Sequence, residues 1–219
     1  LLDNEVCSAI SNSCSMNNFT SNAAGSVSTP YGIYLQSNAS ALSSTTPLLN
    51  ADFSTSNRAL SWSPDGRFLI AANTSTVFLL EYNRITNTLT QVDSVSHQSR
   101  VAEWSPNGAF VAIGTQLGAT DDNSLIVYRI DYNAKKFTNK STLLVGTAVT
   151  ALSWHPSQNY ILYSFLDGVN SARINLVRFN AGTGTLGALL QSVNSGLLRI
   201  IKDLSWTPDG RYFASAWSI

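Results

Sequence analysis

Four segments of this chain carry the same hairpin sequence, and this repeat limits the possible folds more than any other feature. In each segment an apolar residue is followed two positions later by Trp, which is followed two positions later by Pro. Pro-Asp-Gly or Pro-Asn-Gly between apolar runs presets a tight turn between antiparallel strands. The repeated positions are Trp62, Pro64 and Gly66; Trp104, Pro106 and Gly108; Trp154 and Pro156; and Trp206, Pro208 and Gly210.

The four tryptophans are 42, 50 and 52 residues apart, and a second motif recurs between them. A short apolar run ends each time in a residue whose side chain favours turns, at Asn83, Asp131 and Asn180. Each period has room for four strands of ordinary length with their turns. The strands predicted for the first complete unit are 58–63, 67–73, 76–82 and 87–93.

The predicted strands are apolar on both faces, as the runs at 68–71 and 77–80 illustrate. No stretch has a sustained helical period with capping residues, so the sequence predicts a nearly all-β chain. A sheet that is apolar on both faces has to be covered on both. A radial stack of four-stranded antiparallel sheets does this, and the repeat length matches a β-propeller.

The hairpin Trp-Ser-Pro-Asp-Gly-Arg at 62–67 resembles the blades of WD40-like and PD40-type propellers. The stretch 63–90 is similar to a blade of the seven-bladed lactonase-type propellers, and "NAGTGTLG" at 180–187 carries their Thr-Gly-x-Leu turn. The resemblance covers roughly residues 31–219. The resemblance implies a propeller architecture but does not indicate an activity, because proteins with unrelated functions share such blades.

The chain also departs from the WD40 pattern. Where WD40 blades often end the third strand with Trp-Asp, this chain has Tyr82, Ile130 and Phe179 in place of Trp. Only His97 lies near the place of the WD40 histidine. The hydrogen-bond network that often ties WD40 blades together is therefore expected to be mostly absent, and the chain is a divergent propeller.

The repeats also predict the domain organisation. We expect part of a larger propeller, because residues 200–219 stop within an apolar strand that would be an exposed edge; the alternative is that two half blades pair and close a four-bladed ring. The predicted parts are a Ser/Asn-rich tail or linker at 1–30, a partial blade at 31–56, full blades at 57–98, 99–147 and 148–199, and a partial blade at 200–219.

The amino-acid composition limits the kinds of partner that this protein is expected to bind. The 13 basic and 13 acidic residues are scattered, so no basic surface for nucleic acid is expected. Only 12% of residues are charged, and the remaining polarity comes from Ser, Thr and Asn, which favours an extracellular or periplasmic location. Four Asn-x-Ser/Thr sequons agree with secretion, although a chain this rich in Asn, Ser and Thr also produces them by chance: Asn18, Asn38, Asn73 and Asn139.

Cys7 and Cys14 lie close together in the N-terminal tail and would close a small disulfide loop in an oxidising compartment. With no histidine nearby they make a poor metal site, so no metal and no cofactor is predicted. No segment approaches the roughly 20 apolar residues of a membrane span.

Residues with catalytic chemistry are few. The chain has no Gly-x-Ser-x-Gly elbow, no His-Glu-x-x-His and no phosphate-binding glycine loop, and His155 stands where Ser63 and Ser105 stand in the turn. Two connections between second and third strands are long, and binding residues concentrate on such loops. The candidate binding residues there are Asp121, Asp122, Asn123, Asp167, Asn170 and Arg173.

The cluster at 121–123 has oxygen ligands of the kind that bind a cation, but its composition favours a solvated loop tip. The sequence as a whole predicts a non-catalytic propeller scaffold that contacts a protein or a glycan through its loop faces. The alternatives are a lactonase-like hydrolase, the propeller part of a larger enzyme, and a structural surface protein.

Overall fold

A computed structural model describes residues 58–116, 124–167, 171–194 and 200–218. Within these ranges there are fourteen strands and no helix, which confirms the predicted all-β class. The strands predicted for the first unit match β1 to β4 to within two residues at each end. The strands are β1 (Ala59–Trp62), β2 (Phe68–Ala72), β3 (Val77–Asn83), β4 (Thr88–Val95), β5 (Ser99–Trp104), β6 (Phe110–Thr115), β7 (Ser124–Asp131), β8 (Lys136–Leu144), β9 (Val149–Trp154), β10 (Tyr160–Leu166), β11 (Ala172–Asn180), β12 (Thr185–Asn194), β13 (Ile201–Trp206) and β14 (Phe213–Trp217).

The strands form antiparallel sheets in which each strand pairs with the next one along the chain. Three sheets have four strands, β1–β4, β5–β8 and β9–β12, and a fourth consists of β13 and β14. We call these sheets blades 1 to 4. Their first strands, β1, β5, β9 and β13, lie beside one another and form the inner edge of the stack. The described blades make an open stack and not a closed ring, as expected for part of a larger propeller.

The repeat residues build the turn between the first and second strands of a blade. Ser63 Oγ donates to the Asp65 carboxylate at 2.6 Å and accepts the backbone N–H of Phe68 at 2.9 Å. Gly66 has a φ of 66°, a left-handed conformation that glycine adopts at no steric cost. The same bonds recur in blades 2 and 4 with the pairs Ser105–Asn107 and Thr207–Asp209.

Blade 3 builds this turn around a histidine. His155 Nδ1 accepts the backbone N–H groups of Ser157 at 3.2 Å and Gln158 at 2.9 Å. Because Nδ1 accepts, the ring proton is on Nε2, which donates to the carbonyl oxygen of Gly210 in blade 4 at 3.2 Å. His155 is buried and is a turn residue, as its place in the repeat predicts.

The second motif forms the turn between third and fourth strands, as its Asn and Asp residues predict. Asn180 Oδ1 accepts the backbone N–H groups of Gly182 at 3.0 Å and Thr183 at 3.2 Å. The N–H of Gly184 closes the turn on the Asn180 carbonyl oxygen at 2.7 Å. The side chains of Asn83 and Asp131 accept two backbone N–H groups in the same way.

The apolar cores lie between neighbouring blades. β2 and β6 are buried along their whole length, which confirms the expected burial of both sheet faces. Trp104 of blade 2 stacks on Phe68 of blade 1 with ring centroids 6.5 Å apart, and Phe110 of blade 2 meets Phe179 of blade 3 edge-on at 4.8 Å. Each blade is therefore stabilised mainly by the faces of its neighbours.

Trp62 differs from the tryptophans of blades 2 and 3. The repeat predicts that Trp62 packs between two blades, but 41% of its surface is exposed, whereas Trp104 and Trp154 are buried. Trp104 points toward blade 1, so the equivalent Trp62 points away from blade 2, onto a face that no described blade covers. Its described ring contact is with Tyr82 of its own blade, edge-on at 5.5 Å.

One buried polar contact joins the start of blade 2 to its third strand. His97 Nε2 lies 2.8 Å from the Tyr128 hydroxyl oxygen, and both residues are buried. His97 therefore makes an internal hydrogen bond at the place of the WD40 histidine, although the Trp-Asp pattern is missing from the third strands.

Candidate functional site

The two ends of the blades carry different connections. One end, which we call the turn face, has the turns between first and second and between third and fourth strands. The other end, the loop face, has the connections between second and third strands and between blades. Asp167 and Arg173 lie at the loop face, on either side of the β10–β11 connection. The other predicted binding residues, Asp121, Asp122, Asn123 and Asn170, lie outside the described residues.

The structure brings Asp167 and Arg173 together. The guanidinium Nε of Arg173 lies 2.6 Å from the Asp167 carboxylate, whose other oxygen accepts the Ser171 hydroxyl at 2.9 Å. The Asp167 backbone N–H donates to the Ser171 carbonyl oxygen at 3.0 Å. These bonds hold two opposite charges in a fixed position at the loop face.

The loop face carries a second polar cluster, which was not predicted from the sequence. Arg58 Nη1 and Arg100 Nε both donate to Oε1 of Gln116, at 2.9 Å and 2.7 Å. Arg58 directly precedes β1, Arg100 belongs to β5, and Gln116 directly follows β6. The signal was available, because both arginines directly precede the repeated segments that begin at Ala59 and Val101.

A third feature, a carboxyl group on the inner edge, was also not predicted from the sequence. Glu103 belongs to β5, and its carboxyl group receives the backbone N–H of Trp154 in blade 3. The pKa of Glu103 is raised to about 8, mainly by burial and also by the negative charge of Asp203, whereas the Trp154 N–H acts to lower it. Glu103 is therefore mostly protonated at neutral pH.

The sequence signal for Glu103 is a departure from the repeat. The residue before the repeat tryptophan is a serine in the other three units, at Ser61, Ser153 and Ser205. Ser61 Oγ accepts the Trp104 N–H at 3.2 Å, so Glu103 replaces a serine in the bond between successive first strands.

A cleft of about 250 Å³ lies at the turn face between the turns of blades 2 and 3. Its rim carries hydroxyl and amide side chains, among them Asn107, Ser157 and Gln158. The aromatic residues at its floor, Phe110 and Trp154, are buried and present little ring surface to a ligand. The cleft therefore offers hydrogen-bonding groups and no stacking platform.

The predicted modification sites are only partly described. The Asn73 side chain is buried, and its Oδ1 accepts the backbone N–H groups of Ser75 and Thr76, so this sequon is closed to a glycan in the folded protein. Asn139 is exposed. Asn18, Asn38, Cys7 and Cys14 lie outside the described residues.

In the part of the chain that the structure describes, no three His, Cys, Asp or Glu side chains come together in a way that would hold a metal ion. The same residues include no helix long and apolar enough to cross a membrane.

Solved structures share this arrangement of blades. A candidate 6-phosphogluconolactonase of Bacteroides uniformis is 19% identical with a TM-score of 0.60, and the match covers 74% of this chain and 47% of that chain. The β-propeller domain of Cps50 (Swd1) from Myceliophteria thermophila is 19% identical with a TM-score of 0.53, covering 74% and 48%. A chain of the mitotic checkpoint complex is 17% identical with a TM-score of 0.54, covering 73% and 47%.

This chain folds as blades of a β-propeller. It spans about half the length of each of these three structures. No family profile matches the sequence, and no curated protein sequence does either. At such identities the likeness establishes the fold, which both lactonase-type and WD40-type propellers share.

Proposed function

We propose that these blades are a non-catalytic scaffold that binds a protein or a glycan through the loop face. The observation that carries this proposal is the fixed pair of Asp167 and Arg173, whose charged atoms lie 2.6 Å apart beside an ordered hydroxyl. Such preorganised groups on a rigid sheet lower the entropic cost of binding. One of the similar solved structures belongs to a multi-protein complex, which agrees with a scaffold role.

The test is a comparison of two double variants. Wild type, Asp167→Ala/Arg173→Ala and Glu81→Ala/Lys135→Ala are immobilised and exposed to a glycan array and to cross-linkable proteins from the source organism. The second variant removes a matched pair at the turn face, where Lys135 Nζ lies 2.6 Å from the Glu81 carboxylate. We expect the loop-face variant to lose the wild-type partners and the turn-face variant to keep them.

Two outcomes contradict the proposal. One is a wild type that retains no glycan and no protein above a denatured control. The other is a loop-face variant that keeps every wild-type partner while the turn-face variant loses them, which would move the binding surface to the opposite end of the blades.

A lactonase-like hydrolase is the second candidate, and Glu103 is the observation that favours it. A protonated carboxyl group with the negative charge of Asp203 nearby offers a general acid at the inner edge. The test is hydrolysis of a sugar δ-lactone by wild type and Glu103→Gln. A rate above buffer that the variant loses, with a pH profile that follows Glu103, supports the hydrolase; no rate above buffer rejects it.

The proposal includes an extracellular or periplasmic location. The low content of charged residues and the exposed sequon at Asn139 support it. Peptide mapping without reducing agent tests it, because a bond between Cys7 and Cys14 requires an oxidising compartment.

A further inference from the structure

Two guanidinium groups converge on a single neutral oxygen at the loop face. Arg58 Nη1 and Arg100 Nε donate to the same Oε1 of Gln116, at 2.9 Å and 2.7 Å. Two positive charges are thus held within hydrogen-bonding distance of one atom. A neutral amide oxygen satisfies two N–H groups but does not compensate the two charges.

Neither arginine has a carboxylate partner among the described residues. Arg173 and Lys135, by contrast, are paired with the carboxylates of Asp167 and Glu81, each at 2.6 Å. Both arginines are exposed, so their remaining N–H groups face solvent. A guanidinium group binds carboxylate and phosphate through two parallel bonds, and two adjacent groups multiply the available donors.

The backbone holds the three residues in place. The Arg58 N–H donates to the Ala72 carbonyl oxygen, and the Gln116 N–H to that of Gln98, each at 2.8 Å. Arg100 is the extra residue of a β-bulge, because Ser99 pairs with Thr115 while Val101 pairs with Gly114. Bulges re-aim a side chain at the end of a sheet and often lie next to functional sites.

The bulge recurs on the inner edge. In blade 4, Ile201 pairs with Trp217 and Asp203 with Ala216, which leaves Lys202 as the extra residue. Lys202 therefore occupies the repeat position of Arg58 and Arg100, and it is also exposed. A basic residue stands at this position in three of the four repeat units, whereas blade 3 has Thr150.

We propose that Arg58 and Arg100 form a binding site for an oxyanion group, a carboxylate or a phosphate, carried by the ligand of the loop face. Gln116 holds the two guanidinium groups in position and leaves their outer N–H groups for the anion. Lys202 adds positive charge at the same end of the inner edge. The inference rests on the proposed loop-face function, and it names the chemistry that this face recognises.

The experiment is a calorimetric titration at low salt with two probes, inorganic phosphate and succinate. Wild type is compared with Arg58→Ala, Arg100→Ala and the control Arg211→Ala, an exposed arginine at the turn face. We expect each loop-face variant to weaken binding at least about tenfold, since it removes a charge-assisted pair, and the control to leave it unchanged. Binding of phosphate alone or of succinate alone identifies the group that the site prefers.

Gln116→Glu gives an independent test that does not remove either arginine. The new carboxylate lies between the two guanidinium groups, compensates one of their two positive charges and competes for their N–H groups, so we expect a higher melting temperature together with weaker phosphate and succinate binding. Unchanged anion binding in Gln116→Glu overturns the inference. So does a wild type that binds neither probe, or equal weakening in Arg58→Ala and Arg211→Ala.

Failure of this inference is distinguishable from failure of the proposed function. If neither probe binds while Asp167→Ala/Arg173→Ala still loses the wild-type partners, the scaffold function stands and the oxyanion site is rejected. If the probes bind as expected and no partner is retained, the site stands and the scaffold function is rejected.

Discussion

The indole nitrogen of Trp154 donates a hydrogen bond of 3.2 Å to the backbone carbonyl oxygen of Glu103, so the repeat tryptophan of blade 3 is joined to the first strand of blade 2. The same glutamate receives the Trp154 backbone N–H at its carboxyl group. The inner edge is thus connected by hydrogen bonds as well as by apolar packing. We expect substitutions there to lower the free energy of unfolding most.

The first prediction compares two repeat tryptophans. Trp154→Ala removes a buried ring and should lower the free energy of unfolding by about 3–5 kcal/mol. Trp62→Ala changes a residue whose surface is already 41% exposed, so it should cost about 1 kcal/mol. Urea unfolding followed by circular dichroism measures both. Equal losses would show that the two tryptophans are equally covered in solution.

The second prediction concerns pH. Because burial raises the pKa of Glu103 from its ordinary value of 4.5 to about 8, the folded protein holds a proton that the unfolded chain releases within this window. Stability should therefore fall as pH rises from 5 to 8, by at most about 1.4 kcal/mol per pH unit. Glu103→Gln should flatten the slope, because glutamine stays neutral and still accepts the Trp154 N–H.

Denaturation midpoints at several pH values measure this slope. The control is Glu81→Gln, which loses an ion pair with Lys135 between blades but retains Glu103, so it should keep the wild-type slope. A wild-type slope in Glu103→Gln would mean that another group carries the pH dependence.

The third prediction separates backbone strain from a steric clash. Gly210 has a φ of 70°, and a Cβ there would lie 2.3 Å from His155 Cε1 and 2.5 Å from Nε2. Gly146 has a φ of 84° with nothing within 4 Å. Gly146→Ala should cost about 1 kcal/mol from strain alone. Gly210→Ala should cost about 2–4 kcal/mol, since the His155 ring must also move.

Thermal unfolding of these two variants, of His155→Ala and of His155→Ala/Gly210→Ala checks the assignment. Without the His155 ring the clash is absent, so Gly210→Ala should cost less in the His155→Ala background than in the wild type. Additive effects would indicate that His155 and Gly210 are not in contact.

The fourth prediction concerns a cation between blades 2 and 3. The Arg129 guanidinium lies 4.7 Å from the Phe110 ring centroid, and its Nη2 donates to the carbonyl oxygens of Ala181 and Gly182 at 3.2 Å each. Arg129→Lys keeps the charge but loses the planar fork, so it should cost about 1–2 kcal/mol.

Arg178→Lys, at an exposed position on β11, is the control and should be close to neutral. Chemical denaturation at moderate salt measures both variants. A neutral Arg129→Lys would mean that charge alone, and not the guanidinium geometry, links the two blades.

The sequence by itself determined the blade. The spacing of Trp62, Trp104, Trp154 and Trp206 set the repeat, and Pro, Asx and Gly set the turns, because these residues restrict their own backbone dihedrals. Because the strands are apolar on both faces, each sheet needs a neighbouring sheet to cover either face. All of these are local properties of the chain, and the structure contains the turns and strands that they predict.

Only the tertiary structure decided which side chains meet. Arg58 and Gln116 are 58 positions apart and come from different blades, and Glu103 acquires its raised pKa from the strands packed against it. Whether a repeat tryptophan is covered also depends on a neighbouring blade, which is why Trp62 differs from Trp154. Repeat positions look equivalent along the chain, but burial and charge depend on the whole stack.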